Sequence, residues 1–119
     1  MTKIVDNTNI VPYDWASGCS AWVLNDSARL LVKEERMAAG TREQLHLHKE
    51  QEQFFFILEG AAVLYVEGMA YSLGAGQGLQ IPAQATHYIA NESDLDVRFL
   101  VISAPGTRDK QPDRENIKP

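Results

Sequence analysis

Three histidines make up the whole imidazole content of this 119-residue chain. Two of them stand two positions apart, His46-Leu47-His48, and the third is His87. Along an extended chain successive side chains point to opposite faces, so His46 and His48 share a face and aim into one space. Neutral imidazole is a ligand suited to zinc, copper, iron and nickel. A third imidazole brought to the same space would complete a centre for one divalent transition metal ion, and iron, manganese, nickel or zinc are the candidates. A lone His-x-His is a weak sign, so the weight falls on the spacing around it.

That spacing is regular. Gly40 is followed by five residues and then His46-Leu47-His48; four residues lead to Gln53, and six more lead to Gly60. A second run goes Gly76, five residues, Pro82-Ala83-Gln84, two residues, His87, three residues, Asn91. The two runs resemble the paired motifs of the cupin superfamily, a glycine, His-x-His, glutamate and glycine followed by a glycine, Pro-x-Gly, histidine and asparagine. The resemblance implies a small single-domain cupin, an all-β double-stranded β-helix or jelly-roll barrel, with metal ligands at His46, His48 and His87 and the fourth position at Gln53. In this chain glutamine stands where the superfamily has glutamate, and Gln84 stands where its second motif has glycine.

The register set by Gly60 favours Gln53 at the fourth position. On a strand Gln53 shares a face with Phe55 and Ile57, whereas Glu52, one residue earlier, points the other way. Glu52 and, more distantly, Glu50 remain alternatives. An amide does not cancel a unit of metal charge as a carboxylate does, so a three-histidine, one-glutamine site keeps a formal charge of about +2 and favours anionic or enediolate-like oxygen donors. It also lacks a general base at that position, because an amide takes no proton near neutral pH. Lewis-acid polarisation or oxygen activation stays open.

The elements that must position these groups read as strands. Short apolar or alternating runs between glycine and polar clusters predict strands over 21–24, 29–37, 44–48, 53–58, 61–66, 70–73, 78–81, 87–91 and 97–103. Glu67-Gly68 reads as a tight hairpin turn. The glycine-dense stretch 74–78 is a turn and not a phosphate cradle, since no lysine or helix follows. Phe54-Phe55-Phe56 predicts a strand buried on both faces, with one ring able to line a pocket. Tyr88 should point away from the centre, and Asn91 should fix a turn. In the run 29–37, Leu31, Lys33, Glu35 and Met37 share one parity, with Leu30, Val32, Glu34 and Arg36 on the other. Their charges read as solvated, with one charged pair able to reach a pocket mouth. Residues 1–20 form an arm or edge strand, 21–104 the barrel, and 105–119 a polar tail. Asp109, Asp113 and Arg114 in that tail could fold over the barrel opening.

Bulk composition bounds the function. Eleven basic against sixteen acidic residues give a formal charge of −5, which argues against a nucleic-acid partner. No run reaches the roughly 18 apolar residues of a membrane span, and no signal peptide is visible near Met1, so a cytoplasmic protein is expected. Cys19 is the single cysteine and reads as a small buried hydrophobe. Three functions suit such a barrel: a dioxygenase- or isomerase-like metalloenzyme on a small molecule, a non-catalytic small-molecule binding or sensor module, and a metal-free structural cupin. Exposed sheet edges and an apolar arm (Ile10, Val11, Trp15) suggest a homodimer.

Overall fold

Alternating burial is the organising feature of the chain. The computed structural model describes residues 2–106 and 113–118. Their secondary structure consists of eleven β-strands: β1 (Tyr13–Ala16), β2 (Cys19–Asp26), β3 (Leu31–Met37), β4 (His46–His48), β5 (Glu52–Glu59), β6 (Ala61–Val66), β7 (Met69–Gly74), β8 (Gly78–Ile81), β9 (His87–Ala90), β10 (Val97–Ala104) and β11 (Arg114–Asn116). They form two antiparallel sheets. One has six strands in the order β1-β2-β3-β10-β5-β8, and the other five in the order β11-β4-β9-β6-β7. The inward faces enclose the core, as in a jelly roll.

The strand β10 shows how the sequence sorts itself. Val97, Phe99, Val101 and Ser103 are buried, and the intervening residues face outward. Its neighbour β5 does the same with Gln53, Phe55 and Ile57. The register pairs Phe99 with Ile57, Val101 with Phe55, and Ser103 with Gln53. On the other flank Val97 lies opposite Met37, and Ser103 opposite Leu31. Following these inward positions along the strands, one end is filled by Met37, Ile57, Val97 and Phe99, none of them measurably exposed. The other end carries Gln53, Ser103, Lys33 and Glu35. The barrel is therefore packed at one end and polar at the other, and the polar end holds the site.

Local chemistry shapes the connections. Glu67 and Gly68 both have positive φ, +50° and +80°, the pair required by the tight hairpin between β6 and β7. Gly60 ends β5 with φ +88°, and a Cβ there would stand 2.7 Å from Asp96 O, so both conformation and space demand glycine. Gln84 takes the left-handed conformation, φ +75°, that the glycine of the related motif would adopt. The turn is preserved, and the Gln84 side chain donates to Lys49 O at 2.8 Å.

Two expectations are revised. The β5 strand is not buried on both faces: Phe55 is 2% exposed but Phe54 is 39% exposed. Phe54, Phe56, Leu100, Ile102 and Val32 form an apolar outer surface on the six-stranded sheet. Residues 113–118 go further than a polar tail that could fold over the opening: β11 pairs antiparallel with β4, with Arg114 opposite His48 and Asn116 opposite His46. Three residues suffice for this strand to close the edge of the five-stranded sheet beside β4. Asp109 lies outside the described residues. Cys19 is buried in the core.

Candidate metal centre

The strand β4 holds His46 and His48 on its buried side, and β9 delivers His87 by direct pairing, with His46 opposite His87. One nitrogen from each ring lies within 4.8 Å of the others. The ring centroids of His46 and His87 are 4.3 Å apart, and those of His46 and His48 5.1 Å. Gln53 reaches the same space from β5: its Oε1 is 3.0 Å from His87 Nε2, and its Nε2 donates to Ser103 Oγ at 3.1 Å. Glu52 points outward and accepts from Gln80 Nε2 at 3.0 Å. Glu50 is exposed. Of the three candidates for the fourth position, Gln53 is the one beside the imidazoles.

The hydrogen bonds set the tautomers. His46 Nδ1–H donates to Gln44 O at 2.7 Å, and His87 Nδ1–H donates to Ala85 O at 2.9 Å. The lone pair is then on Nε2 in both rings. On His87 that lone pair faces Gln53 Oε1, so two acceptors confront each other across 3.0 Å with no proton to share. A cation satisfies both at once. An amide turned over to donate to His87 and accept the Ser103 hydroxyl proton would satisfy both as well. His48 Nδ1 is fully buried without an aligned hydrogen bond, although Asp113 Oδ2 stands 3.3 Å away. A neutral trio of nitrogens beside an amide oxygen is a donor set that fits a divalent transition metal.

Burial keeps the imidazoles neutral. It pushes His46 down to about 3, with the Arg114 charge adding to the effect. It pushes His48 down to about 4, with His87 adding and Asp113 opposing. It lowers His87 as well. Such desolvation disfavours the charged form of a base and leaves the lone pairs available for metal at neutral pH.

Two of the trio, His46 and His48, together with Gln53 line a cavity of about 680 Å³. Tyr13, Trp15 and Phe55 supply aromatic wall, Leu31 and Val101 aliphatic wall, and Lys33, Glu35, Glu43, Asp113 and Arg114 polar wall. Lys33 and Glu35 are thus not simply solvated charges at a strand end: both line the cavity from β3. The Lys33 ammonium donates to Tyr13 OH at 3.1 Å. Glu43 was not legible as a site residue. It precedes β4 outside any strand, its Oε1 lies 3.9 Å from His46 Nδ1 and its Oε2 3.5 Å from Arg114. Burial raises its carboxyl to about 7, with Glu35 adding and Arg114 opposing. Burial also raises Glu35, against the pull of Lys33 and Arg114.

Two motif residues have structural roles. Tyr88 turns away from the imidazoles and stacks on Tyr65 at 4.7 Å. Asn91 is buried and its amide donates to Met37 O and Leu95 O at 3.0 and 2.8 Å, while its oxygen accepts from Ser93 N at 3.1 Å. It locks the turn between β9 and β10.

Comparison with known proteins agrees with this architecture. The family model described as a cupin domain matches residues 33–103. The polyketide synthase CurC of Streptomyces cyaneus is 32% identical over 69 residues, covering 58% of this chain and 45% of CurC, so the chain spans about half the length of that relative. KdgF from Halomonas sp. superposes with a TM-score of 0.85 at 17% identity, over 92% of this chain and 98% of KdgF. The polyketide cyclase RemF from Streptomyces resistomycificus superposes with a TM-score of 0.82 at 22% identity, over 100% of this chain and 87% of RemF. With both motifs, two apposed antiparallel sheets and a three-histidine group inside them, the chain belongs to the cupin family.

Proposed function

We propose that this cupin holds one divalent transition metal through His46, His48, His87 and Gln53 and is a metalloenzyme acting on a small, oxygen-bearing molecule in the adjoining cavity. The observation that carries this reading is the convergence of three neutral imidazoles beside a 680 Å³ cavity. When bound, the metal would supply Lewis-acid polarisation of a substrate oxygen or redox chemistry. The chain's own groups do the rest. Gln53 leaves the positive charge of the centre uncancelled, which favours enolate-like oxygens. Tyr13, Trp15 and Phe55 offer flat apolar surface for an unsaturated skeleton. Glu35 and Glu43 sit in the same cavity and offer carboxyl groups for proton transfer, the capacity that Gln53 lacks. This combination suits isomerase-like shifts of a proton next to a carbonyl. The names of CurC and RemF are in keeping with it, because polyketides are rich in enolisable carbonyl groups.

The chain is also proposed to pair with a second copy. The outer face of the six-stranded sheet, with Phe54 39% exposed, offers an apolar surface for such contact.

The test is metal content followed by turnover. Tag-free protein purified without chelator should hold close to one equivalent of a transition metal, and His48→Ala should lose it. The loaded protein should then accelerate exchange of the acidic C–H of a simple 1,3-diketone with deuterium oxide, followed by NMR. Stoichiometric metal without exchange would point to a binding module instead of an enzyme. Absence of metal after reloading with zinc, nickel, iron and manganese would overturn the reading.

A further inference from the structure

Two of the three imidazoles are oriented by backbone close to them in sequence. His46 and His87 each donate Nδ1–H to the carbonyl two residues before them, Gln44 O and Ala85 O. His48 has no such bond. Its Nδ1 is buried, and the acceptor beside it is Asp113 Oδ2 at 3.3 Å, brought in from the far end of the chain. The Asp113 side chain is 7% exposed, an unusual place for a carboxylate without work to do. Its oxygens also accept from Glu50 N at 2.8 Å and Gln51 N at 3.2 Å. Its own carbonyl accepts from Lys49 N at 3.0 Å. The residue therefore clamps the turn that follows β4 and faces the ring that β4 carries.

We propose that Asp113 is a positioning residue of the metal centre, holding the His48 imidazole with Nδ1–H toward its carboxylate and the Nε2 lone pair toward His46 and His87. The inference rests on the metal-binding reading above. Its physical basis is that a carboxylate accepts but cannot donate, so it selects the tautomer protonated at Nδ1. Carboxylates in this position steady ligand rings and raise their basicity. The residue immediately before β11 is on this account part of the centre, and the pairing of β11 with β4 holds it there.

Two variants separate positioning from scaffolding. Asp113→Ala removes both the clamp and the acceptor. Asp113→Asn keeps an oxygen for Glu50 N–H but turns an NH2 donor toward His48, favouring the tautomer whose proton sits on Nε2. Zinc affinity is measured by competition with a chelator, and the His48 tautomer of metal-free protein by long-range 15N–1H correlation spectra. The expected result is a roughly tenfold to hundredfold weaker zinc affinity in both variants, with His48 shifting from Nδ1–H toward Nε2–H in Asp113→Asn. If Asp113→Asn keeps wild-type affinity and tautomer while Asp113→Ala does not, Asp113 only clamps the turn and the proposal falls. If wild type binds no zinc, the metalloprotein reading fails by itself. The His48 spectrum then still decides whether Asp113 sets the tautomer.

Discussion

Protons and metal compete for the same three nitrogens, and the burial of the trio gives that competition a definite magnitude. An ordinary imidazole titrates near 6.5, so at pH 5.5 protonation would weaken each ligand by about tenfold and three ligands by roughly a thousandfold. His46 is held at about 3 and His48 at about 4, which brings the factor for each close to 1. His87 is displaced in the same direction by burial. Even an ordinary His87 would limit the whole loss to about tenfold. The Gln53 amide adds no titration of its own. The apparent dissociation constant for zinc should therefore rise less than about tenfold between pH 7.5 and 5.5. The assay is chelator competition with the chelator's own protonation subtracted, and His48→Ala defines the background. A rise of a hundredfold or more would refute the reasoning, because it would mean that the rings are as hydrated as free imidazole. The metal-free fold carries the matching signature. A base whose pKa falls on folding contributes stability above the unfolded value of 6.5, and that stability is lost as pH falls toward the folded value. His46 and His48 should each withdraw about 2 kcal/mol between pH 6.5 and 5.

Other perturbations probe separate parts of the site. Gln53→Glu places a carboxylate beside His87 and should tighten zinc binding by about tenfold or more while lowering the metal-free melting temperature, read by chelator competition and calorimetry; unchanged affinity would remove residue 53 from the ligand set. Glu43 has the opposite sign from the histidines: its folded value of about 7 exceeds the ordinary 4.5, so its stabilisation is complete below 4.5 and disappears as pH rises through 7. Glu43→Gln should therefore flatten the loss of metal-free stability between pH 5 and 8 by up to about 3 kcal/mol in urea denaturation, and equal slopes in both proteins would contradict it. Gly60→Ala forces a Cβ to 2.7 Å from Asp96 O at positive φ and should cost about 2 kcal/mol or more, measurable as a lower denaturation midpoint; a neutral change would show that the turn can shift.

Strand periodicity determined an all-β frame, and the resemblance of two motifs to those of cupins supplied the barrel and the candidate ligands. The period-two alternation of β5 and β10 is written in residues such as Gln53, Phe55 and Ile57, because a strand exposes its side chains to fixed faces whatever it packs against. The same rule placed His46 and His48 on one side, and the resemblance to the cupin motifs, through the spacing to Gly60, favoured Gln53 while leaving Glu52 as an alternative. What lay beyond sequence were contacts between segments far apart along the chain. Phe54 looked as apolar as Phe55, and only the arrangement of the sheets left one ring outside and one within. Glu43 carries no signal in its neighbours, since its burial is set by the cavity that Glu35 and Arg114 share with it. Lys33 and Glu35 read as ordinary surface charges until β3 placed them at the polar end of the barrel. The segment 113–118 is the extreme case: charged and poor in apolar residues, it has no local reason to form a strand. Residues 113–118 are placed by the free edge of β4 and by the backbone N–H groups of Glu50 and Gln51, which donate to the Asp113 carboxylate. Strand periodicity is a property of consecutive residues, whereas the environment of a buried charge belongs to every segment packed around it, and only the folded structure brings those segments together.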